Sequence, residues 1–257
     1  MLRRLRRDAL RREPFPEDWQ AILTANVRAY APLSADERAE LHARISVFID
    51  EKYFEGIGIE ISDEMRVTIA AEACLLELHR PPSYYPDCQT VFVYPSAFTS
   101  VQQEVLPGGV VAERRTVRIG EAWRRGSVVL AWDAAQHQAR GLGGGHNVTL
   151  HEFAHKLDGM NGEVDGVPPL TLSLRATWAQ VMGREYRELV GQVHAGHASV
   201  IDPYGASSPA EFFAVVTETF FERPLALRAD HPALYALLQG FYGQDPAARE
   251  AARSPDG

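Results

Sequence analysis

The chain has 257 residues, 46% of them hydrophobic, and its 34 acidic and 26 basic residues give a net charge of -8. A chain of this length and composition can bury one large core. Nucleic-acid-binding domains usually carry the opposite sign of charge, so we expect no direct contact with nucleic acid. No apolar run approaches the roughly 18 to 20 residues of a membrane span, and no membrane-spanning segment is predicted.

The two cysteines and the N-terminal segment indicate the cellular compartment of the protein. Cys74 and Cys88 are too few for a disulfide framework and form no C-x-x-C pair, which fits a reducing cytoplasm. Residues 1–13 contain six arginines in the first twelve positions but lack the apolar stretch of a signal peptide. Leucines among these arginines would suit a short basic amphipathic helix on an anionic membrane or a partner. A chain end without a packed face is usually loose, so we predict a solvated basic arm.

The apolar pattern predicts a single α+β domain over residues 14–245, mostly helical with a small mixed sheet, and a flexible tail over 246–257. Ser34 and Glu37 form a predicted capping box at the start of one helix. The predicted helices are 16–27, 34–52, 63–78, 147–159, 174–193, 209–222 and 232–243. The predicted strands are 56–62, 90–95, 110–119 and 127–132.

The stretch NVTLHEFAHKLDGMNG contains the order H-E-x-x-H at His151, Glu152 and His155. Residues four apart on a helix differ by only about 40° in azimuth, so both imidazoles would point to one side, as a tetrahedral zinc ion requires. Glu152 would lie beside them, within reach of a metal-bound water. The apolar flanks favour a metal site over surface histidines, because buried polar groups need partners. Asn147 is placed to cap this helix.

A third metal ligand must come from elsewhere in the chain. The longer pattern H-E-x-x-H-x-x-G-x-x-H fails, since Asp158 replaces its glycine and Asn161 its last histidine. The best candidate is Glu211, although Ser208 and Glu211 also fit a capping box that would only close a helix. Glu218, two turns further on the same helix face, is the alternative. Asp158 would either orient a ligand imidazole or serve as a turn residue. Two histidines of a Gly/Ala-rich segment are weaker ligand candidates, His194 and His197.

Several segments resemble a known family. HEFAHKLD, GVPPL and YGASSPAEFFA are similar to the glucose-regulated metallopeptidases typified by Mlc titration factor A, and PFPEDW and DEMRVTIAAEACLL resemble the N-terminal half of that family. The resemblance covers roughly residues 14–243. The H-E-F-x-H-x-x-D segment and a tyrosine seven residues before a glutamate also resemble the catalytic domain of anthrax lethal factor. This likeness implies a zincin-like fold of the gluzincin type with one zinc ion per chain.

The resemblance implies roles for individual residues. The zinc ligands would be His151, His155 and Glu211, which selects Glu211 among the candidates. Glu152 would be the general base, and Tyr204 would face the metal. The Tyr204 hydroxyl would then suit a donor to the oxyanion of the transition state, the alternative being a tyrosine packed in the DPYG turn.

The implied activity is that of a zinc peptidase, with aminopeptidase action on short peptides. The family also implies a role in regulating sugar uptake by binding a DNA-binding transcriptional repressor, through contact with the repressor and not with DNA. A non-catalytic protein that only sequesters the repressor is the alternative, but such a protein has no need of Glu152 as a base. A peptide substrate would add as a strand along an exposed sheet edge, for which residues 127–132 are our first candidate.

Overall fold

The computed structural model of the chain describes residues 2–96, 100–106, 110–116 and 126–253. Within them the chain is mostly helical, as predicted. The helices are α1 (Leu2–Leu10), α2 (Glu17–Asn26), α3 (Ala35–Glu51), α4 (Asp63–Leu75), α5 (Trp132–Ala139), α6 (Val148–Asp158), α7 (Leu172–Ala195), α8 (Pro209–Glu222), α9 (Pro224–Asp230), α10 (Pro232–Tyr242) and α11 (Pro246–Arg253). The strands are β1 (Tyr53–Gly56), β2 (Thr90–Tyr94), β3 (Ser100–Leu106), β4 (Val110–Thr116) and β5 (Ser127–Ala131).

The strands form two separate sheets. Strands β1, β2 and β5 are parallel, in that order, with Tyr53 opposite Thr90 and Thr90 opposite Ser127. Strands β3 and β4 pair antiparallel as a two-stranded sheet of their own. The predicted mixed sheet is therefore wrong for the described strands, because the antiparallel pair does not join the parallel ones. Strand β5 lies at one edge of the three-stranded sheet, as predicted for residues 127–132.

Helices α6 and α8 pack against each other and place their apolar faces in the core. Phe153 of α6 meets Phe48 and Tyr85 edge-on, at 5.6 and 4.9 Å between ring centroids. Phe213 of α8 meets Trp178 of α7 in the same way at 5.6 Å. Burying a phenylalanine side chain contributes about 1.5 to 3 kcal/mol, so these contacts hold the two helices firmly in place. The polar side chains of α6 and α8 therefore contact each other at the border of the core.

Most predicted helices and strands are confirmed to within a few residues, although α5, α9 and β3 are not predicted. The capping box forms as expected: Ser34 Oγ accepts a hydrogen bond from the Glu37 backbone N–H, and the Glu37 carboxylate accepts one from the Ser34 N–H. Residues 117–119 of the strand predicted at 110–119 lie outside the described residues. Among the described residues, no helix combines the length and apolar character that a membrane span needs.

The strand predicted at residues 56–62 is wrong. The strand in this region is β1, which pairs with β2 and ends at Gly56. Ile59 and Ile61 follow it in a loop and pack, partly buried, against the core. Alternating burial therefore arises here without strand pairing, which the sequence pattern alone does not distinguish.

The basic N-terminal segment differs from the predicted solvated arm. Residues 2–10 form α1, although no residue of this helix is buried. Arginines of this segment instead form ion pairs of 2.5 to 2.7 Å with acidic side chains of α3: Arg3 and Arg7 with Glu51, Arg6 with Asp50, and Arg11 with Glu40. Charge rather than an apolar face holds the helix, so an apolar pattern did not reveal its partner.

The C-terminal segment also differs from the predicted flexible tail. Residues 246–253 form α11, whose first two residues are buried. Asp245 accepts a hydrogen bond from the Ala248 N–H at 2.9 Å, and Glu250 pairs with Arg28 at 2.9 Å. Residues 254–257 lie outside the described residues.

Candidate metal centre

Helix α6 presents His151 and His155 one turn apart on the face opposite to its buried apolar side chains, as the spacing predicts. Asn147 caps the helix, since its Oδ1 accepts a hydrogen bond from the Leu150 N–H at 3.1 Å. The Nε2 atoms of the two imidazoles lie 3.2 Å apart. Their side chains are 15% and 19% exposed, so the histidines lie at the border between core and solvent.

Glu211, in the first turn of α8, completes a cluster with the two histidines. Its Oε2 lies 3.1 Å from His151 Nε2 and 3.3 Å from His155 Nε2. Ser208 caps α8 by accepting a hydrogen bond from the Glu211 N–H, while the Glu211 carboxylate faces the histidines. Within the described ranges, His151, His155 and Glu211 form the one group of three or more potential metal ligands whose donor atoms all lie within 4.8 Å of one another.

The charges of this cluster are strongly coupled. Burial raises the pKa of Glu211, but hydrogen bonds and charge from His151 and His155 outweigh burial and hold the pKa well below its ordinary value. Burial lowers the pKa of His151, but the hydrogen bonds that this imidazole donates to Glu211 and Glu218 outweigh burial and raise the pKa to about 10. The carboxylates therefore create a strongly negative potential at the two imidazoles, which favours a positive charge at this point.

Glu218, the alternative third ligand, lies on the other side of the His151 ring. Its Oε1 is 2.7 Å from His151 Nδ1, and its Oε2 accepts a hydrogen bond from the Asn147 N–H at 2.6 Å. Glu211 faces the opposite ring nitrogen, Nε2, which is also the nitrogen that points at the second histidine. This arrangement favours Glu211 over Glu218 as the ligand. The weaker candidates His194 and His197 are exposed at and beyond the end of α7 and do not belong to the cluster.

Glu152 and Tyr204 lie beside the cluster. Glu152 follows His151 on α6 and is half-buried. The Tyr204 ring centroid is 6.1 Å from that of His151, with the planes tilted by 37°, and the tyrosine is 57% exposed. Asp202 holds the backbone of this turn, since its Oδ1 accepts a hydrogen bond from the Tyr204 N–H at 2.7 Å. Tyr204 is thus presented from a short turn next to the two helices, on a side that solvent reaches.

Asp158 is fully buried at the end of α6. Its Oδ2 accepts a hydrogen bond from the Gly166 N–H at 2.8 Å. Burial raises the pKa of Asp158 to about 6, against that hydrogen bond, which lowers it. In the part of the chain that the structure describes, Asp158 Oδ1 and His155 Nδ1 are both buried without a hydrogen-bond partner.

A buried polar network behind the site is not predicted from the sequence. Asn147 Nδ2 donates to Glu72 at 2.9 Å and to Glu222 at 3.0 Å. Burial raises the pKa of both carboxyl groups, that of Glu222 to about 6 and that of Glu72 well above its usual range. The available sequence signal is a glutamate among apolar residues beyond the first turn of a helix, as Glu72 is in α4 and Glu218 is in α8, because such a side chain requires a partner.

Two histidines from one helix and a glutamate from a second, gathered at one point, form the donor set of a metallopeptidase. Residues 2–243 match the family described as glucose-regulated metallo-peptidase M90, and the chain belongs to that family. The slr2042 protein of Synechocystis sp. is 43% identical over 94% of this chain and 89% of its own length. The Mlc titration factor A proteins of Pectobacterium atrosepticum and Klebsiella pneumoniae are 34% and 32% identical, over 91% and 90% of this chain and 88% and 87% of their own. The family resemblance is confirmed, and with it a metallopeptidase-type role.

Proposed function

We propose that the protein is a zinc-dependent peptidase with one zinc ion per chain, held by His151, His155 and Glu211 in a gluzincin-like site. The spacing of the donor atoms carries this proposal. Tetrahedral zinc with bonds of about 2.0 to 2.1 Å requires donors about 3.3 Å apart. The three donor atoms lie 3.1, 3.2 and 3.3 Å from one another. Two imidazoles and one carboxylate also leave a fourth position for water or substrate.

When bound, zinc would lower the pKa of a coordinated water to about 7 and polarise the carbonyl of a peptide bond. Glu152 would accept a proton from the attacking water and deliver it to the leaving amine. Its place next to His151 on α6, half-buried beside the cluster, suits that role. The Tyr204 hydroxyl would donate a hydrogen bond to the oxyanion that develops on the substrate.

Asp158 would orient His155. An imidazole that binds a metal through Nε2 carries its hydrogen on Nδ1 and usually donates it to a carboxylate or a carbonyl group. Asp158 follows His155 by three residues on α6, and residues three apart on a helix are neighbours. The Oδ1 atom of Asp158 is a buried acceptor without a hydrogen-bond partner among the described residues. The Nδ1 atom of His155 is likewise buried and lacks a partner there. A hydrogen bond between them would satisfy both.

The substrate would be a short peptide with a free N-terminus. Strand β5 offers an edge of the parallel sheet next to α6, where an extended peptide can add as a strand. Asp202 lies two residues before Tyr204 in the turn beside the cluster, and its carboxylate would suit a positively charged N-terminal amine. Hydrolysis of free peptides but not of their N-acetylated counterparts would support aminopeptidase action. Equal rates for the two would contradict it.

The variant Glu152→Gln tests the catalytic proposal. Because an amide cannot accept the proton of the attacking water, the variant should keep its zinc and its fold and lose peptide hydrolysis by several orders of magnitude. Glu163→Gln, at an exposed loop position, is the matched control and should hydrolyse peptides at the wild-type rate. Zinc content, circular dichroism and hydrolysis would be measured on the same preparations. Wild-type turnover in zinc-loaded Glu152→Gln would contradict the role of the base.

A second candidate function is the binding of a DNA-binding repressor, suggested by the name of the relatives, Mlc titration factor A, which refers to the titration of Mlc. Such binding would take place in the cytoplasm, where the two buried free cysteines, Cys74 and Cys88, stay reduced. It does not require the proton transfer by Glu152, so Glu152→Gln should bind the purified repressor as tightly as the wild type. Failure of both proteins to bind in a size-exclusion assay would contradict this second function.

A further inference from the structure

Glu218 is held at both of its carboxylate oxygens. It lies in the middle of α8, is 6% exposed, and faces the start of α6. One oxygen is 2.7 Å from His151 Nδ1, and the other accepts a hydrogen bond from the Asn147 N–H at 2.6 Å. A carboxylate oxygen at this distance makes Nδ1 the donor, so the hydrogen of the imidazole lies on Nδ1. His151 Nε2 faces Glu211 and His155, so a metal that replaces the hydrogen on Nε2 would find the lone pair of this nitrogen directed into the cluster.

Asn147, whose backbone N–H binds Glu218, is itself held in place by hydrogen bonds of its side chain. Its Oδ1 accepts a hydrogen bond from the Leu150 N–H, and its Nδ2 donates to Glu72 and Glu222. Every polar atom of the side chain is therefore engaged, and Asn147 is completely buried. The backbone N–H that reaches Glu218 cannot move without breaking several hydrogen bonds. Leaving any of these buried groups without a partner would destabilise the fold.

The Glu218 carboxylate therefore connects Asn147, the residue that caps α6, with His151, which lies one turn further along the helix. Glu218 also belongs to the helix that carries Glu211, so it links the two helices that supply the three donor atoms. We infer that Glu218 is a positioning residue of the metal centre, which fixes the hydrogen of His151 on Nδ1 and the orientation of its ring, and so sets the affinity for zinc. This inference rests on the proposed function, since it concerns the same three donor atoms.

The contact requires a carboxylate and not merely a polar side chain of the same size. Glu218 accepts from two N–H donors, whereas glutamine has one acceptor oxygen and one NH₂ group that only donates. In Glu218→Gln, one of the two donors would face another donor. Either the His151 ring rotates or the start of α6 moves, and both changes shift Nε2. Glu218→Asp keeps two acceptor oxygens on a shorter side chain and should recover part of the affinity.

The matched control is Glu72→Gln. Glu72 is as deeply buried and belongs to the same network, but its carboxyl group accepts from Asn147 Nδ2 and lies one hydrogen bond further from His151. A glutamine there still offers an acceptor oxygen to that NH₂ group. If the network acted only as a scaffold, Glu72→Gln and Glu218→Gln would have similar effects on the metal.

The test measures zinc affinity by competition with a chelator and the absorption spectrum of the cobalt-loaded proteins, using the full chain. Glu218→Gln should bind zinc about 10- to 100-fold more weakly, the usual cost of losing a partner of a ligand histidine. Its cobalt spectrum should change, because the spectrum reports the ligand geometry. Glu218→Asp should lie between this variant and the wild type, and Glu72→Gln should stay within about twofold of the wild type.

Two results would overturn the inference alone. The first is wild-type zinc affinity and an unchanged cobalt spectrum in Glu218→Gln. The second is an equal loss of affinity in Glu218→Gln and Glu72→Gln. If Glu218→Gln does not fold, which circular dichroism would show, Glu218→Asp takes its place, and wild-type affinity with an unchanged cobalt spectrum in that variant would overturn the inference. A wild-type chain that binds no zinc would instead overturn the proposed function together with this inference.

Discussion

The substitution Gly166→Ala would show how strongly the loop after α6 sets the position of Glu211. The Gly166 N–H donates to Asp158 Oδ2 at 2.8 Å, and its carbonyl accepts from Trp178 Nε1 at 3.0 Å. Its φ is +83°, and a Cβ at this position would lie 2.4 Å from the carbonyl oxygen of Pro209. Pro209 is the first residue of α8, two positions before Glu211. An added methyl group would therefore push directly on the helix that carries the carboxylate of the site.

Two costs add up at Gly166. An alanine in the left-handed region costs about 1 to 2 kcal/mol. Overlap with backbone atoms adds about 1 to 3 kcal/mol, since no side chain can rotate away to relieve it. Gly162→Ala is the matched control, because Gly162 has a φ of +100° and nothing lies within 4 Å of its added Cβ. We expect the free energy of unfolding to fall by about 1 to 2 kcal/mol in Gly162→Ala and by about 2 to 5 kcal/mol in Gly166→Ala.

The assay compares zinc affinity, by chelator competition, under conditions in which both variants are folded. Gly166→Ala should bind zinc about 10- to 100-fold more weakly than the wild type, in the range seen when the support of a ligand is disturbed. Gly162→Ala should remain within about twofold of the wild type, because its methyl group touches nothing. Equal zinc affinities of the two variants would refute the idea that Gly166 positions α8. Any loss of affinity would then come from the left-handed backbone conformation that both glycines share.

Two further predictions concern single side chains. Tyr204→Phe should lower kcat by about 10²- to 10³-fold in steady-state peptide hydrolysis, with KM, zinc content and melting temperature nearly unchanged, and an unaltered kcat would remove Tyr204 from the chemistry. Burial raises the pKa of Glu222 from 4.5 to about 6. The folded state therefore favours the protonated carboxyl, and stability should fall by up to about 2 kcal/mol as the pH rises through this interval. Urea unfolding at several pH values should show that the stability of Glu222→Gln lacks this decrease. A pH dependence of stability equal to that of the wild type would contradict the role of Glu222.

The parts of the site that depend on local spacing could be predicted from the sequence. His151 and His155 fall on one face of α6 because four residues make about one helical turn, and the apolar residues between them identify the buried face. The cap at Asn147 is likewise a local signal, and the structure shows its side chain bound to the Leu150 N–H. Such features depend on neighbours in the chain, so one sequence is enough to reveal them.

The parts that depend on tertiary packing could not be predicted in this way. Glu211 and Glu218 share one face of α8, so spacing alone does not tell which of them meets which nitrogen of His151. That choice depends on how α6 and α8 pack. The same limit applies to Gly166, whose tight contact with Pro209 joins two segments far apart in the chain. The pairing of α1 with α3 was missed for a related reason, since it uses charges instead of an apolar stripe.

The most direct test of the metal site is an anomalous difference map from crystals of the zinc-loaded protein, recorded on both sides of the zinc absorption edge. We predict one peak per chain, bonded at about 2.0 to 2.2 Å to Nε2 of His151, Nε2 of His155 and one carboxylate oxygen of Glu211. Glu218 should remain hydrogen-bonded to Nδ1 of His151 and make no bond to the metal. A peak coordinated by Glu218 in place of Glu211, or no peak between the two histidines, would contradict the proposed metal site.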